Sequence, residues 1–334
     1  MVANRTFLDQ FNVHLKRIND ELSRNLNNHV FLIEDIDNHP LLGQGKRLRP
    51  LLFVMSCQLC GYHGEDIYHF STIFEYIHTA SLLYDDVLDN VGIRRNKPSA
   101  NHVRGNSTAV LGVDFLSSKS FAIAVGSNNL EFLKILTDTK TRMTEGQALE
   151  SIHTNNWHIS RDEYMEIIIS KTAGLISAAC ACGAIFAGAE KRAVDHLSQF
   201  GLNLGIAFQI MDDLLDYISC EEGFGKPIRK DLEEGKITLP LIYILSDLKR
   251  AEIERLEDLF KDHKAHDEDY RKLIAMVRNN GVIDRIRSEA RVYVDKAASF
   301  LNFFPGSSVK ENLMELNAEL SSTSLRNWND GIMG

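Results

Sequence analysis

The sequence is short of proline, of pairable cysteine and of basic charge, and each shortage excludes something. Only 6 of its 334 residues are proline, about a third of the usual 5%; a chain of many short strands and tight turns would carry more, whereas long helices need few. Five cysteines, an odd number in a long chain, do not suit a disulfide scaffold and point to a reducing, cytoplasmic location. Acidic residues outnumber basic ones, 46 against 37, for a net charge of −9. Such a surface repels polyphosphate, so no nucleic-acid partner is expected. The opening run MVANRTFLDQFNVHLKRIND carries charges throughout and has no apolar stretch of signal-peptide length. Residues 172–189 lack charge over 18 positions, the length at which a membrane span is considered. They are mostly Ala, Gly, Ser, Thr and Cys, with Leu175, Ile176, Ile185 and Phe186 as the large apolar side chains. The expectation is a small-residue helix inside the bundle of a soluble protein with no transmembrane segment.

What is present is a globular composition, 44% hydrophobic and 25% charged, with helical periodicity along most of its length. Residues 5–26 set Phe7, Leu8, Phe11, Val13, Leu15, Ile18 and Leu22 along one broad face. Segments near 48–61, 65–91, 107–126, 129–155, 162–190, 191–220 and 236–250 read the same way, followed by four shorter ones. Loops are signalled at Gly43–Gly45, at Gly92, Asn96 and Pro98, at Asn128-Asn129, from Gly223 to Pro227 and at Pro305-Gly306. No stretch alternates with period two long enough to require a strand, and no repeat of solenoid length is visible. The expectation is an all-α fold, one domain over 1–334, of a dozen or so helices.

Two acidic boxes of identical spacing stand out. Asp85, Asp86 and Asp89 lie in IHTASLLYDDVLDN, and Asp212, Asp213 and Asp216 lie in GIAFQIMDDLLDY. The outer aspartates of each box fall about 40° apart on a helix, one turn along a single face. Three carboxylates in an otherwise apolar helix repel one another and are costly to bury without a cation. Hard carboxylate oxygens suit Mg²⁺ or Mn²⁺, whose shells are completed by water and substrate phosphates. Basic residues stand near each box: Lys46 and Arg49 in GKRLRP, Arg94 and Arg95 after the first box, Lys171 beside Thr172, and Lys226, Arg229, Lys230 and Lys236 after the second. His78, seven residues before Asp85, projects within about 20° of it on the same helix face. Metal boxes with cations beside them could hold two diphosphates, one through metal ions and one through Lys and Arg directly. Cys57-x-x-Cys60 has no second pair and no strand before it, so it is read as helix packing. There is no HExxH and no nucleophilic Ser or Cys arrangement.

In these motifs the sequence resembles the all-trans polyprenyl diphosphate synthases, and most of all their long-chain, octaprenyl-type members. The resemblance runs in register from about residue 40 to 245 through GKRLRP, DDVLD followed by Arg94, Arg95 and Lys97, SKTA at 170–173, FQIMDDLLDY at 208–217 and GKPIRKDLEEGKITLP at 225–240. It implies an α-helical fold around a deep central cavity, a homodimer, and head-to-tail 1′-4 condensation of isopentenyl diphosphate onto an allylic diphosphate such as farnesyl or geranyl diphosphate. By similarity Asp85, Asp89 and Asp212 bind a cluster of three Mg²⁺ ions on the allylic diphosphate, with Asp86, Asp213 and Asp216 orienting or completing it. Arg94, Lys171, Lys236 and Lys226 touch that diphosphate. Lys46, Arg49, His78 and Arg95 hold isopentenyl diphosphate, and Thr172 and Gln209 line the reacting centre.

The sequence departs from the family pattern at Gln44, at Gly112-Val113-Asp114-Phe115, at Gln147 and at Arg229. None of these removes a metal or diphosphate ligand. In the family the growing chain extends down a tunnel beneath the first box, floored in short-chain members by an aromatic residue four or five positions before it. Here those positions hold Ala80 and Ser81, with Tyr84 next to the box, so the floor falls to Phe121, Ala124 and Leu136. The expected product is C40, with C35 and C45 as neighbours. The alternatives are a farnesyl or geranylgeranyl synthase, a terpene cyclase, or a noncatalytic subunit of a heteromeric synthase; two complete boxes speak against the last two.

Overall fold

In a computed structural model of the chain, the residues described are 3–25, 47–89, 92–94, 97–218, 230–261 and 265–320. They form helices α1 (Ala3–Asn25), α2 (Leu48–Leu59) and α3 (Asp66–Leu88), then strands β1 (Ile93–Arg94) and β2 (Lys97–Pro98). Helices α4 (Ala100–Arg104), α5 (Asn106–Val125), α6 (Leu130–Ile152) and α7 (Arg161–Ile168) follow. A π-helical turn, Ile169–Ala173, leads into α8 (Gly174–Phe186) and α9 (Lys191–Ile218). The remainder is α10 (Lys230–Glu233), α11 (Leu239–Asp247), α12 (Arg250–Phe260), α13 (Asp267–Asn279), α14 (Val282–Leu301) and α15 (Ser308–Leu320). The all-α expectation holds, including four helices after α11.

The exception is the ladder β1–β2, in which Ile93 pairs with Pro98 and Arg94 with Lys97. Two residues per strand are too few to leave a period-two pattern in the sequence. A second correction concerns α1. Phe11, Leu15, Ile18 and Leu22 are buried at helical spacing, but Val13 is 61% exposed, because it lies 200° around the helix from Phe11. The side chains of Phe7 and Leu8 lie outside the described residues.

The uncharged stretch builds the centre. Leu175, Ile176, Ala178, Ala179, Cys180, Ala181, Cys182, Gly183 and Ala184 of α8 are all buried, and α2, α6 and α9 pack around them. Small side chains let these helices approach closely. A Cβ on Gly183 would lie 2.6 Å from the Phe53 carbonyl oxygen, and one on Gly205 would lie 2.7 Å from Ala173 Cα. The 28-residue α9 is the longest described helix and packs on α8 and on α14. α3 packs against α1, α2 and α5. The buried side chains from α1 to α15 make one continuous apolar cluster. Cys57 is buried and Cys60 half-buried in the packing around α2, and the four described cysteines are free thiols.

Helix termini follow local chemistry. Asn129 caps α6 by accepting the Phe132 amide at 3.1 Å. Ser160 and Glu163 form a reciprocal capping box at the start of α7.

Candidate active site

The first acidic box sits at the carbonyl end of α3. Asp85 and Asp86 are buried in its last turn. Asp89 closes the helix, its amide donating to the Asp85 carbonyl at 2.9 Å. Carboxylates placed at the negative end of a helix dipole repel it and one another, so the position calls for cations. Two lysines supply them from distant elements. Lys171, in the π turn, places Nζ 3.3 Å from Asp85 Oδ2 and 2.5 Å from Glu150 Oε2 on α6. Lys236 donates to Asp89 Oδ2 at 2.8 Å and to Glu234 Oε2 at 2.7 Å.

The second box lies on α9. Asp213 is buried, and its two oxygens accept from the Tyr164 hydroxyl at 2.7 Å and from Gln209 Nε2 at 2.6 Å. Burial pushes its carboxyl up to about 7; the two hydrogen bonds oppose that rise, and the charges of Asp212 and Glu150 add to it. Asp216 accepts the Asp231 amide at 3.2 Å, and the Asp231 carbonyl accepts the Lys236 amide at 2.8 Å. The Asp231 carboxyl is also held well above its ordinary range by burial, with Asp216 and Asp213 adding to the rise. Lys236 therefore touches the first box through its ammonium and, through its backbone, the segment docked on the second. The two boxes border one site.

The π turn sets Lys171 and Thr172, both half-buried. Such a turn widens the helix by one residue and is frequent at functional sites. It is pressed from two sides: a Cβ on Gly146 of α6 would lie 2.7 Å from Ser170 Cβ and 2.9 Å from the Lys171 amide nitrogen, and Gly205 presses on Ala173 as described above.

The other expected residues fall as follows. Ala80 is buried and Ser81 half-buried on α3, where Ser81 Oγ donates to the His78 carbonyl at 2.8 Å. His78 is half-buried, one helix face with Asp85, and Tyr84 points outward. Phe121 is half-buried and Ala124 buried on α5, the helix packed along α3. Arg49 is half-buried on α2; desolvation pushes its guanidinium down to about 10 while the Glu75 charge pulls it back. For Arg94 the backbone lies in β1 and the side chain is outside the described residues, as are Lys46, Arg95, Lys226, Gln44 and Arg229.

Sequence reasoning missed Glu150, Tyr164, Asp231 and Lys140. Glu150 and Tyr164 belong to no repeated spacing in the sequence and acquire a role only from partners 21 and 49 residues away. Lys140 lies on the inward face of α6, between buried Leu136 and Met143; burial pushes its ammonium down and the Asp85 charge pulls it up.

Among the described residues no three acidic, imidazole or thiol side chains converge to enclose an ion. The donor set nonetheless fits Mg²⁺, which takes one or two carboxylates and fills its shell with water and phosphate oxygens. Cationic nitrogens already lie against Asp85 and Asp89, and the acid excess at Asp213 and Asp231 asks for more positive charge.

Comparisons with known proteins give the family. The polyprenyl synthetase family model matches residues 32–277. The octaprenyl diphosphate synthase of Escherichia coli K12 is 33% identical over 299 residues, covering 90% of this chain and 92% of that enzyme. The geranylgeranyl diphosphate synthase of Saccharolobus solfataricus is 32% identical over 89% of this chain and 92% of its own length. Among solved structures, the polyprenyl synthase of Caulobacter crescentus CB15, complexed with calcium and isoprenyl diphosphate, superposes with a TM-score of 0.89 at 33% identity, over 96% of this chain and 97% of that one. An all-α bundle with paired aspartate boxes closed by lysines, matched over nine-tenths of its length to enzymes of one kind, leaves one assignment: the chain belongs to the polyprenyl synthetase family and is a prenyltransferase of isoprenoid biosynthesis.

Proposed function

We propose that this chain is a long-chain polyprenyl diphosphate synthase, joining isopentenyl diphosphate 1′-4 to an allylic diphosphate. The observation that carries the reading is the double reach of Lys236, ammonium on Asp89 at 2.8 Å and amide on the segment that docks on Asp216. One diphosphate can then be gripped from both boxes at once. Mg²⁺, three ions with substrate bound, would supply the divalent charge that stabilises the departing diphosphate. Asp85, Asp89 and Asp212 would hold that charge, and Asp86, Asp213 and Asp216 would orient or complete its ligands. Lys171 and Lys236 exchange their carboxylate partners for the α- and β-phosphate oxygens, joined by Arg94 and Lys226. Arg49, with Lys46, Arg95 and His78, holds isopentenyl diphosphate. The allylic C–O bond breaks, the isopentenyl double bond attacks the resulting allyl cation, and the proton lost passes to the released diphosphate. Thr172 and Gln209 line that reacting centre and limit access of water.

The proposed product is about C40 (C35–C45), because Ala80 and Ser81 leave room beneath Asp85 where a ring would remove one turn, about 5.4 Å or one isoprene unit. One observation favours a shorter product. Phe53, Phe70, Phe74, Phe132 and Phe186 cluster with ring centroids 4.6–6.5 Å apart, and Phe74 lies eleven residues before Asp85, about 16 Å along α3. A floor there lies about 9 Å deeper than one at Ala80, roughly two isoprene units, and would stop growth near C25–C30. We further propose a single domain, a cytoplasmic location and a homodimer. Among the described residues two helices are long and apolar enough to cross a membrane: Arg161–Phe186 has 67% of its apolar window buried in the protein and α5 only 33%. The exposed Val110, Leu111 and Val125 of α5 suit a second copy of the chain.

The test is direct. Pure protein, Mg²⁺, farnesyl diphosphate and labelled isopentenyl diphosphate should yield alcohols, after dephosphorylation, centred on C40. A C25–C30 product supports the aromatic floor, and failure to consume isopentenyl diphosphate overturns the reaction.

A further inference from the structure

α1 is fastened along α3 by a row of polar contacts. His14 Nδ1 lies 2.8 Å from the Tyr68 hydroxyl, Arg17 Nη1 donates to both Glu65 oxygens at 2.7 and 2.8 Å, and the Tyr76 hydroxyl donates to the Leu22 carbonyl at 3.1 Å. One member of the row reaches elsewhere. Asn19 Oδ1 accepts from Arg47 Nε at 2.8 Å, and Arg47 Nη1 lies 2.5 Å from Glu75 Oε1 on α3. Arg47 is the residue that precedes α2.

Two features set this group apart from an ordinary ion pair. The side chains of its ion pair are nearly sealed, 3% exposed for Arg47 and 4% for Glu75. Arg47 also has φ 51° and ψ 27°, a left-handed conformation uncommon for a long L side chain, which persists only where surrounding contacts over-determine it. Arg49 follows two residues later. Its Nε is buried and has no hydrogen-bond partner among the described residues. Glu75 is the carboxylate whose charge it feels. One carboxylate thus faces two guanidiniums, and Arg47 makes the close contact with it. The surplus positive charge falls on Arg49.

We propose that Arg47, Glu75 and Asn19 are positioning residues that fix the backbone at Arg47, where α2 begins, and keep Glu75 engaged with Arg47, so that Arg49 is left to take the diphosphate of isopentenyl diphosphate. This rests on the role given to Arg49 above. A purely stabilising contact would not need charge, since buried ion pairs contribute little that apolar packing could not; what charge adds is a defined direction for each guanidinium. The N-terminal helix then contributes to the second substrate's site without touching it.

The experiment varies each substrate at saturation of the other, with Mg²⁺, in the full chain and in Glu75→Gln, Arg47→Lys, Arg47→Met and Asn19→Ala. Glu75→Gln and Arg47→Met should raise KM for isopentenyl diphosphate about 10-fold or more, with the allylic KM and kcat within about 3-fold. Arg47→Lys should recover part of the loss. Asn19→Ala, at an exposed position that leaves the ion pair in place, should raise the same KM about 2- to 5-fold and keeps the test alive if Glu75→Gln fails to fold. Unchanged KM for isopentenyl diphosphate in Asn19→Ala and Glu75→Gln, or equal shifts for both substrates, overturns the positioning role. A wild-type protein that does not consume isopentenyl diphosphate overturns instead the reaction on which it rests.

Discussion

At Asp213 two opposing influences meet. Burial favours the neutral acid, while donation from Tyr164 and Gln209 favours the carboxylate, and the balance stands at about 7. A carboxylate that must hold divalent charge works only when ionised, so activity should fall on the acid side of this value. Tyr164→Phe removes one donor to the charged form and should move the acid limb of the kcat/KM profile upward by about one pH unit; an unmoved limb would show that the hydroxyl does not tune this acid. The sign for stability follows from the same shift. A folded-state value above the ordinary 3.8 means the folded chain binds the extra proton, so metal-free protein should lose stability as pH rises from about 4 to 7. Asp213→Asn should flatten part of that slope in thermal melts, the half-buried Asp231 contributing in the same direction. The aspartates themselves were legible because a fixed spacing repeats in two places. Their partners were not, because Tyr164, Glu150 and Asp231 are single residues brought in by separate segments.

The element that sets the site's precision is the π turn between α7 and α8. One extra residue per turn does not disturb a run of small apolar side chains enough to be seen in the sequence, so 162–190 reads as one helix. In the structure that residue aims Lys171 between Asp85 and Glu150. Gly146→Ala would force a Cβ to within 2.7 Å of Ser170. It should cost about 1–3 kcal/mol of stability and lower kcat well beyond what the fall in Tm implies, measured on protein still folded by circular dichroism. α3 carries a separate prediction. Ala80→Phe places a ring one turn beneath the box and should shorten products to about C15–C20, as sized by chromatography. Unchanged products would mean that the chain grows elsewhere. Most helix positions were legible from period alone, and their boundaries agree within a few residues, whereas the short β1–β2 ladder leaves no periodic trace.

For the whole molecule, fold class followed from scarce proline and sustained helical period, and the family from several motifs in register. Association was implied by the resemblance alone and not by the residues, since an apolar helix facing a partner looks in sequence like one facing the core. α5 settles which residues to test. Light scattering should give a mass near twice the chain's 37.8 kDa, and Leu111→Glu, at an exposed position, should shift the species toward one copy; a wild-type monomer would remove the dimer proposal. The central requirement is that both aspartate boxes act on one diphosphate. Calorimetric titration of an unreactive allylic thiolodiphosphate, with Mg²⁺, into the wild type, Asp85→Asn, Asp212→Asn and the double variant tests it most directly. If the boxes share the ligand, each single substitution weakens binding about 10- to 100-fold and the double loses less than the sum of the two free energies. Full affinity in either single variant would place the boxes in separate sites.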